Sequence, residues 1–183
     1  LPPAPTYFHK PISALNHHGG DVVRPPRCRY LNYEGEIAIV IGRECRHISR
    51  EEAAEYIAGF TIANDFGLHD FRDTDAGSML RVKGSDTLCP IGPGIVDDWD
   101  FHGRRIRTLV NGEVRQSDRT ANLIFSVPEL VSYLSGVLTL QPGDLVFTGT
   151  PSGVGLPTRN FLRAGDTVET TIEGLGTLRT RCV

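Results

Sequence analysis

The chain is poor in lysine. Of its 19 basic residues 17 are arginine, and the only lysines are Lys10 and Lys83. Arginine keeps its proton in proteins, whereas lysine offers a compact ammonium whose proton affinity responds to burial. The two lysines therefore either stand where arginine would not serve or reflect chance. There are only four cysteines, Cys28, Cys45, Cys89 and Cys182, irregularly spaced and without a C-x-x-C pair. That argues against a zinc ribbon or a disulfide scaffold and fits free thiols in a reducing compartment, the cytoplasm. No apolar run approaches a membrane-spanning helix, and no signal peptide is visible. A net charge of −3 gives no basis for a nucleic-acid or membrane partner. Neither a G-x-S-x-G elbow nor a P-loop is present, so hydrolysis here fits a metal and activated water better than a serine nucleophile.

The 183 residues suffice for one well-cored domain. They begin at Leu1 rather than at methionine, and a preceding segment is expected. Within them, Tyr33-Glu34-Gly35-Glu36-Ile37-Ala38-Ile39-Val40-Ile41-Gly42 reads as a strand covered on both faces, because both alternating sets turn apolar. Residues two apart share a face, so Glu34 and Glu36 project together from its mouth. Two like charges there repel each other and lose hydration, and a cation between them relieves both costs. The alternative is an exposed strand end.

Around this strand the pattern is β-rich. Pro2, Pro3, Pro5 and Pro11 mark an extended entry, and His17-His18 reads as a solvated loop. Ser49 with Glu52 opens a helix to about Ile57. Phe60 to Ala63 is a short strand that delivers Asn64-Asp65. Residues 65–79 form a long polar loop, Leu80 to Lys83 alternates like a strand, and Cys89 to Val96 is extended. Asn111-Gly112 turns a hairpin. Ser126, Pro128 and Glu129 open a second helix that ends near Gly136. Strands follow at 145–147, 167–173 and 177–183, with the Gly-rich loop Thr148 to Gly155 between the first two. Strands and helices do not alternate, which speaks against a doubly wound parallel fold. The expectation is one mixed, β-rich (α+β) domain, rolled or barrel-like, with two short helices.

Glu34, Glu36 and Asp65 together offer three hard oxygen ligands, a set suited to Mg²⁺, Mn²⁺ or Ca²⁺ rather than zinc. Lys83 reads either as an ammonium beside that cation or as a surface lysine with a packed stem. The backbone N–H groups and hydroxyls of Thr148-Gly149-Thr150 either hold a carboxylate or simply make a tight turn.

In order along the chain, Tyr7-Phe8-His9-Lys10-Pro11, Tyr33-Glu34-Gly35-Glu36 with Ile39 to Gly42, Asn64-Asp65 with Asp70, Leu80 to Lys83, Pro90 to Pro93, Leu140 to Asp144 and Thr148 to Pro151 resemble the fumarylacetoacetate hydrolase family. Leu80 to Lys83, Pro90 to Val96 and Val110 to Glu113 look most like the branch containing 2-hydroxyhepta-2,4-diene-1,7-dioate isomerase and 5-oxopent-3-ene-1,2,5-tricarboxylate decarboxylase. The resemblance implies a β-roll, a homodimer, and Mg²⁺, Mn²⁺ or Ca²⁺ on Glu34, Glu36 and Asp65. It further implies Lys83 as the active-site lysine and Gly149 and Thr150 as the substrate loop. Substrates would be 2-oxo or 1,3-dicarbonyl acids, and the reactions isomerisation, decarboxylation or C–C hydrolysis through an enolate. The family's upstream segment with a lid histidine is absent from these residues. His69 stands where many members have Arg, and Arg72 where hydrolases often have Gln. Arg72 pairs either with a second substrate carboxylate or with its acidic neighbours. A non-catalytic binding module is the remaining alternative.

Overall fold

The computed structural model describes all 183 residues. Twelve strands run as β1 (Leu15–His17), β2 (Asp21–Val22), β3 (Leu31–Asn32), β4 (Gly35–Ile41), β5 (Ile57–Asn64), β6 (Gly67–Leu68), β7 (Cys89–Val96), β8 (Arg105–Val110), β9 (Glu113–Arg119), β10 (Leu145–Phe147), β11 (Thr167–Ile172) and β12 (Gly176–Cys182). The α-helical segments are α1 (Met79–Gly84), α2 (Val127–Val137) and α3 (Gly155–Thr158). One five-stranded sheet has the order β1-β7-β5-β4-β10, a second β2-β12-β11-β8-β9, and β3 pairs with β6. The β-rich expectation holds, as open sheets rather than a closed barrel.

The carboxylate strand β4 lies inside the first sheet and is buried along its whole length. Its Ile37, Ile39 and Ile41 join Phe60 and Ile62 of β5 in a core with Ile106, Ile172 and Leu178 of the second sheet and Val127, Leu130 and Val131 of α2. That apolar wall explains why both sets of β4 side chains are non-polar past Glu36. Helix α2 starts as its sequence signals. Ser126 and Glu129 exchange hydrogen bonds in a capping box, with Pro128 in the first turn. Asn111 and Gly112 take positive φ of 52° and 80°, as the turn between β8 and β9 requires.

Two segments differ from expectation. Ser49 and Glu52 do bond reciprocally, but only a 3₁₀ turn, Ala53–Tyr56, follows before β5 begins at Ile57. Leu80 to Lys83 is helical, inside α1, with the Ser78 side chain accepting from the Leu80 N–H. A four-residue alternation is too short to separate the two periods, and the N-cap that decides it lies upstream. The helix buries Val82, Lys83 and Gly84.

Gly35 sits between the two glutamates and faces the second sheet. A β-carbon there would lie 2.2 Å from Thr108 Oγ1 and 2.9 Å from Thr170 Cγ2. Gly35→Ala is expected to lower stability by about 1–3 kcal/mol through overpacking. By contrast, Gly136 in α2 is exposed, with nothing within 4 Å of an added β-carbon. Gly136→Ala should raise stability by about 0.5–1 kcal/mol. Urea unfolding of both variants tests the pair, and equal effects would contradict this packing.

Candidate active site

The antiparallel register of β4 on β5 sets Gly35 opposite Asn64 and Glu36 opposite Ala63. Asp65, one residue past β5, then lies beside Glu34, and its N–H donates to the Glu34 carbonyl at 2.8 Å. The result is a cluster in which Glu34, Glu36 and Asp65 each present a carboxylate oxygen, all within 4.8 Å of one another. Glu36 and Asp65 are each only 4% exposed.

Both lysines of the chain meet this cluster. Lys83 Nζ, on the last turn of α1, lies 2.7 Å from Glu34 Oε2 and 3.0 Å from Asp65 Oδ2, and donates to the Asp65 carbonyl at 2.8 Å. Its three N–H donors are thus all engaged. Lys10, from the extended entry, pairs with Asp65 Oδ1. Of the two explanations for the scarcity of lysine, the three engaged donors of Lys83 agree with a special use at that position.

The electrostatics follow from burial. Desolvation, then the charges of Asp65 and Glu34, push the Glu36 carboxyl well above the usual glutamate range, although Lys83 and the Gly149 N–H pull the other way. Burial also favours a neutral Glu34, but His69 and Lys83 outweigh it and hold that carboxyl below its ordinary value. For Lys83, burial opposes the charge, and Asp65 and Glu34 more than restore it, so its pKa is raised. Formally, three carboxylates face two ammoniums. The excess negative charge rests on the most buried glutamate, which is what a divalent cation would relieve. The donors are all oxygen, so the set fits a hard divalent ion.

The loop Thr148-Gly149-Thr150 continues β10 along the carboxylate end of β4. The Thr148 N–H donates to the Ile37 carbonyl at 3.1 Å. The pairing then passes to side chains, with the Gly149 N–H donating to Glu36 Oε2 at 2.8 Å and the Thr150 hydroxyl to the Gly35 carbonyl at 3.0 Å. Gly149 has φ +87°, a conformation that favours glycine. The loop is a tight turn, and its Gly149 N–H is taken by the protein's own Glu36 carboxylate. The Thr150 backbone N–H has no partner within the chain.

Arg72 is the sequence candidate that the structure does not bring in. It is exposed, on the turn after the 3₁₀ segment His69–Phe71, and forms no ion pair. Asp75 pairs instead with Arg81, at 2.6 Å. His69 does reach the cluster. Its Nε2 lies 3.8 Å from Glu34 Oε1, beyond hydrogen-bond range, and both ring nitrogens are buried without a partner.

Sequence reasoning missed the scaffold beneath the carboxylates. Gln116 of β9 accepts from the Gly35 N–H at 3.0 Å and donates to the Thr150 hydroxyl at 2.8 Å. Asn64 accepts from the Glu34 N–H at 2.8 Å and donates to Thr170, itself bonded to Thr108. Asn32 donates to Glu34 Oε1 at 3.1 Å. The one signal available was Thr108, a polar residue in register with the inward Ile106 and Val110. All four thiols are free and buried. Cys89, near the cluster, is pushed up to about 12 by burial, so it is no thiolate nucleophile at neutral pH.

The family model described as fumarylacetoacetate (FAA) hydrolase C-terminal matches residues 1–183. An uncharacterized protein of Methanocaldococcus jannaschii is 46% identical over 179 residues, which are 98% of this chain and 73% of that protein. The 4-hydroxyphenylacetate degradation bifunctional isomerase/decarboxylase of Salmonella dublin is 44% identical over 97% of this chain. The chain spans only 41% of that enzyme's length. Among solved structures, 2-hydroxyhepta-2,4-diene-1,7-dioate isomerase from Mycobacterium marinum superposes with a TM-score of 0.94 at 44% identity, over all of this chain and 70% of that one.

The raised proton affinity of Glu36 has a testable sign. Its carboxyl binds a proton more tightly folded than unfolded, so its contribution favours folding below the unfolded value of about 4.3 and is lost as the pH rises through the folded value. Glu36→Gln removes this titration. In chelator, the stability of that variant relative to the native chain should climb with pH above about 4.3. Urea unfolding along a pH series measures this, and a difference independent of pH would contradict it.

Proposed function

The chain belongs to the fumarylacetoacetate hydrolase family, and from that premise we propose that it is a divalent-metal-dependent enzyme acting on a small 2-oxo or 1,3-dicarbonyl (di)carboxylic acid through an enolate. The reaction we favour is isomerisation or decarboxylation in aromatic-compound catabolism. The observation that carries this reading is the triad Glu34, Glu36 and Asp65, half-buried at Glu34 and buried at the other two, with more negative charge than its two lysines balance. Mg²⁺ is the ion proposed, with Mn²⁺ or Ca²⁺ as substitutes. Relatives named as isomerase/decarboxylase, at 44% and 40% identity, support the choice of reaction. A C–C hydrolase of the fumarylacetoacetate type is the second reading. It is favoured by the likeness to fumarylacetoacetate hydrolase from Exiguobacterium antarcticum, with a TM-score of 0.91 at 35% identity.

A divalent ion held by the three carboxylates would supply Lewis-acid polarisation of a carbonyl beside the substrate's carboxylate. The chain's own groups do the rest. Lys83 provides positive charge next to an oxygen that becomes negative in the transition state, and does so in a buried site where such charge counts most. Because its three protons are engaged, it reaches substrate by exchanging one contact with Glu34 or Asp65. The unpartnered Thr150 N–H faces the role of carboxylate donor, while the Thr150 hydroxyl and Gln116 keep that loop on β4. Arg72, on its exposed turn, is the proposed partner for a second substrate carboxylate. A cytoplasmic homodimer completes the proposal, the first part supported by four free thiols.

Glu36→Ala is expected to abolish tight Mn²⁺ binding and cut turnover by on the order of 10²–10³-fold, with little loss of fold. The assay is a panel of 2-oxo and diketo acids with added Mg²⁺ or Mn²⁺, followed by enol absorbance and CO₂ release. A single product indicates isomerisation, CO₂ decarboxylation, and two acids hydrolysis. Full activity of the variant, or of the native chain in chelator, would refute the metal reading, and a panel without turnover would favour a binding module.

A further inference from the structure

We propose that Lys10 is a built-in counter-cation of the carboxylate cluster, a positioning residue that neutralises Asp65 when no ion is bound and thereby sets how weakly the site holds a divalent cation. This rests on the reading that Glu34, Glu36 and Asp65 hold such an ion.

Lys10 reaches Asp65 across 55 residues of sequence. Its side chain is 12% exposed and that of Asp65 6%, so solvent screens the pair poorly. The two oxygens of Asp65 are divided between the two lysines, Oδ1 to Lys10 and Oδ2 to Lys83. Whichever oxygen turns toward an ion, an ammonium already faces it. The lysines are not equivalent, however. Lys83 is shared among Glu34, the Asp65 carboxylate and the Asp65 carbonyl. Lys10 has Asp65 as its only charged partner, plus one marginal contact of 3.5 Å to the Leu88 carbonyl.

The formal charges show what this does. Three carboxylates and two ammoniums sum to −1, and a divalent ion takes the sum to +1. Without Lys10 the same ion brings the cluster from −2 to zero. Lys10 therefore makes the empty cluster cheaper to bury and the loaded one less favourable. A unit charge a few ångströms from a divalent ion in a poorly screened site is worth at least a factor of ten in affinity.

The backbone holds Lys10 to this task. The next residue, Pro11, packs against Gly84, the neighbour of Lys83, where an added β-carbon would lie 2.7 Å from Pro11 Cδ. The Pro11 carbonyl accepts from the Ala14 N–H at 3.0 Å. The ammonium thus enters from a strap whose backbone is pinned beside the second lysine.

The test is Mn²⁺ binding by titration calorimetry to the native chain, Lys10→Met and Lys10→Arg, with metal-free melting temperatures alongside. Lys10→Met should bind Mn²⁺ about tenfold or more tightly and melt lower than the native chain without metal. Lys10→Arg, which keeps the charge, should stay within about threefold of native affinity. If the Met variant is recovered only with Mn²⁺ present, competition with a chelator of known affinity yields the same constant. A Met variant binding no more tightly than the native chain, or an Arg variant tightened as much as the Met one, would overturn the role of Lys10 and leave the metal reading standing. A native chain that binds no Mn²⁺ would overturn both.

Discussion

The structure depends on holding three carboxylates, Glu36 and Asp65 buried and Glu34 half-buried, where the apolar strands β4 and β5 meet. Isolated ionised groups in such a place cost several kcal/mol each. Here Glu34 and Asp65 are offset by Lys83 and Lys10, and Glu36 is left with one backbone N–H, from Gly149. The remaining strain appears as the high proton affinity of Glu36. A fold built for stability alone would gain by replacing these groups with packed apolar ones. Retaining them makes sense if a cation and an anionic substrate complete the charge balance.

Much of the surrounding architecture serves to hold those carboxylates in one arrangement. The register of β4 on β5 brings Asp65 beside Glu34, and Gly35 lets the second sheet approach closely enough for Thr108 and Thr170 to sit beneath. Asn64, Gln116 and the Thr150 hydroxyl then satisfy the backbone of residues 34 and 35. This places both sheets, through Gln116 of β9 and Thr170 of β11, in the support of a site formed mainly on one.

What the sequence revealed was whatever depends on local chemistry. Alternation along residues 34–41 told a doubly covered strand headed by two glutamates, and the capping box at Ser126 and the turn at Asn111-Gly112 lay where their residue types require. Asp65 and Lys83 were legible as partners in type but not in geometry. That Lys83 arrives on a helix rather than a strand turns on Ser78, two positions before the alternating stretch Leu80 to Lys83. The scaffold was illegible for a different reason. Gln116 and Asn64 matter because long-range register sets them against Gly35 and Glu34, and no spacing in sequence encodes that. Arg72 lies on an exposed turn, and neither its charge nor the family resemblance foretells the local backbone direction there.

The proposed chemistry depends on an ion between Glu34, Glu36 and Asp65. The most direct measurement is an anomalous difference map from crystals grown with Mn²⁺ and recorded at the manganese absorption edge. One strong peak, bounded by carboxylate oxygens of all three residues, is the predicted result. A map without a peak there, or with manganese held by other residues, would contradict it.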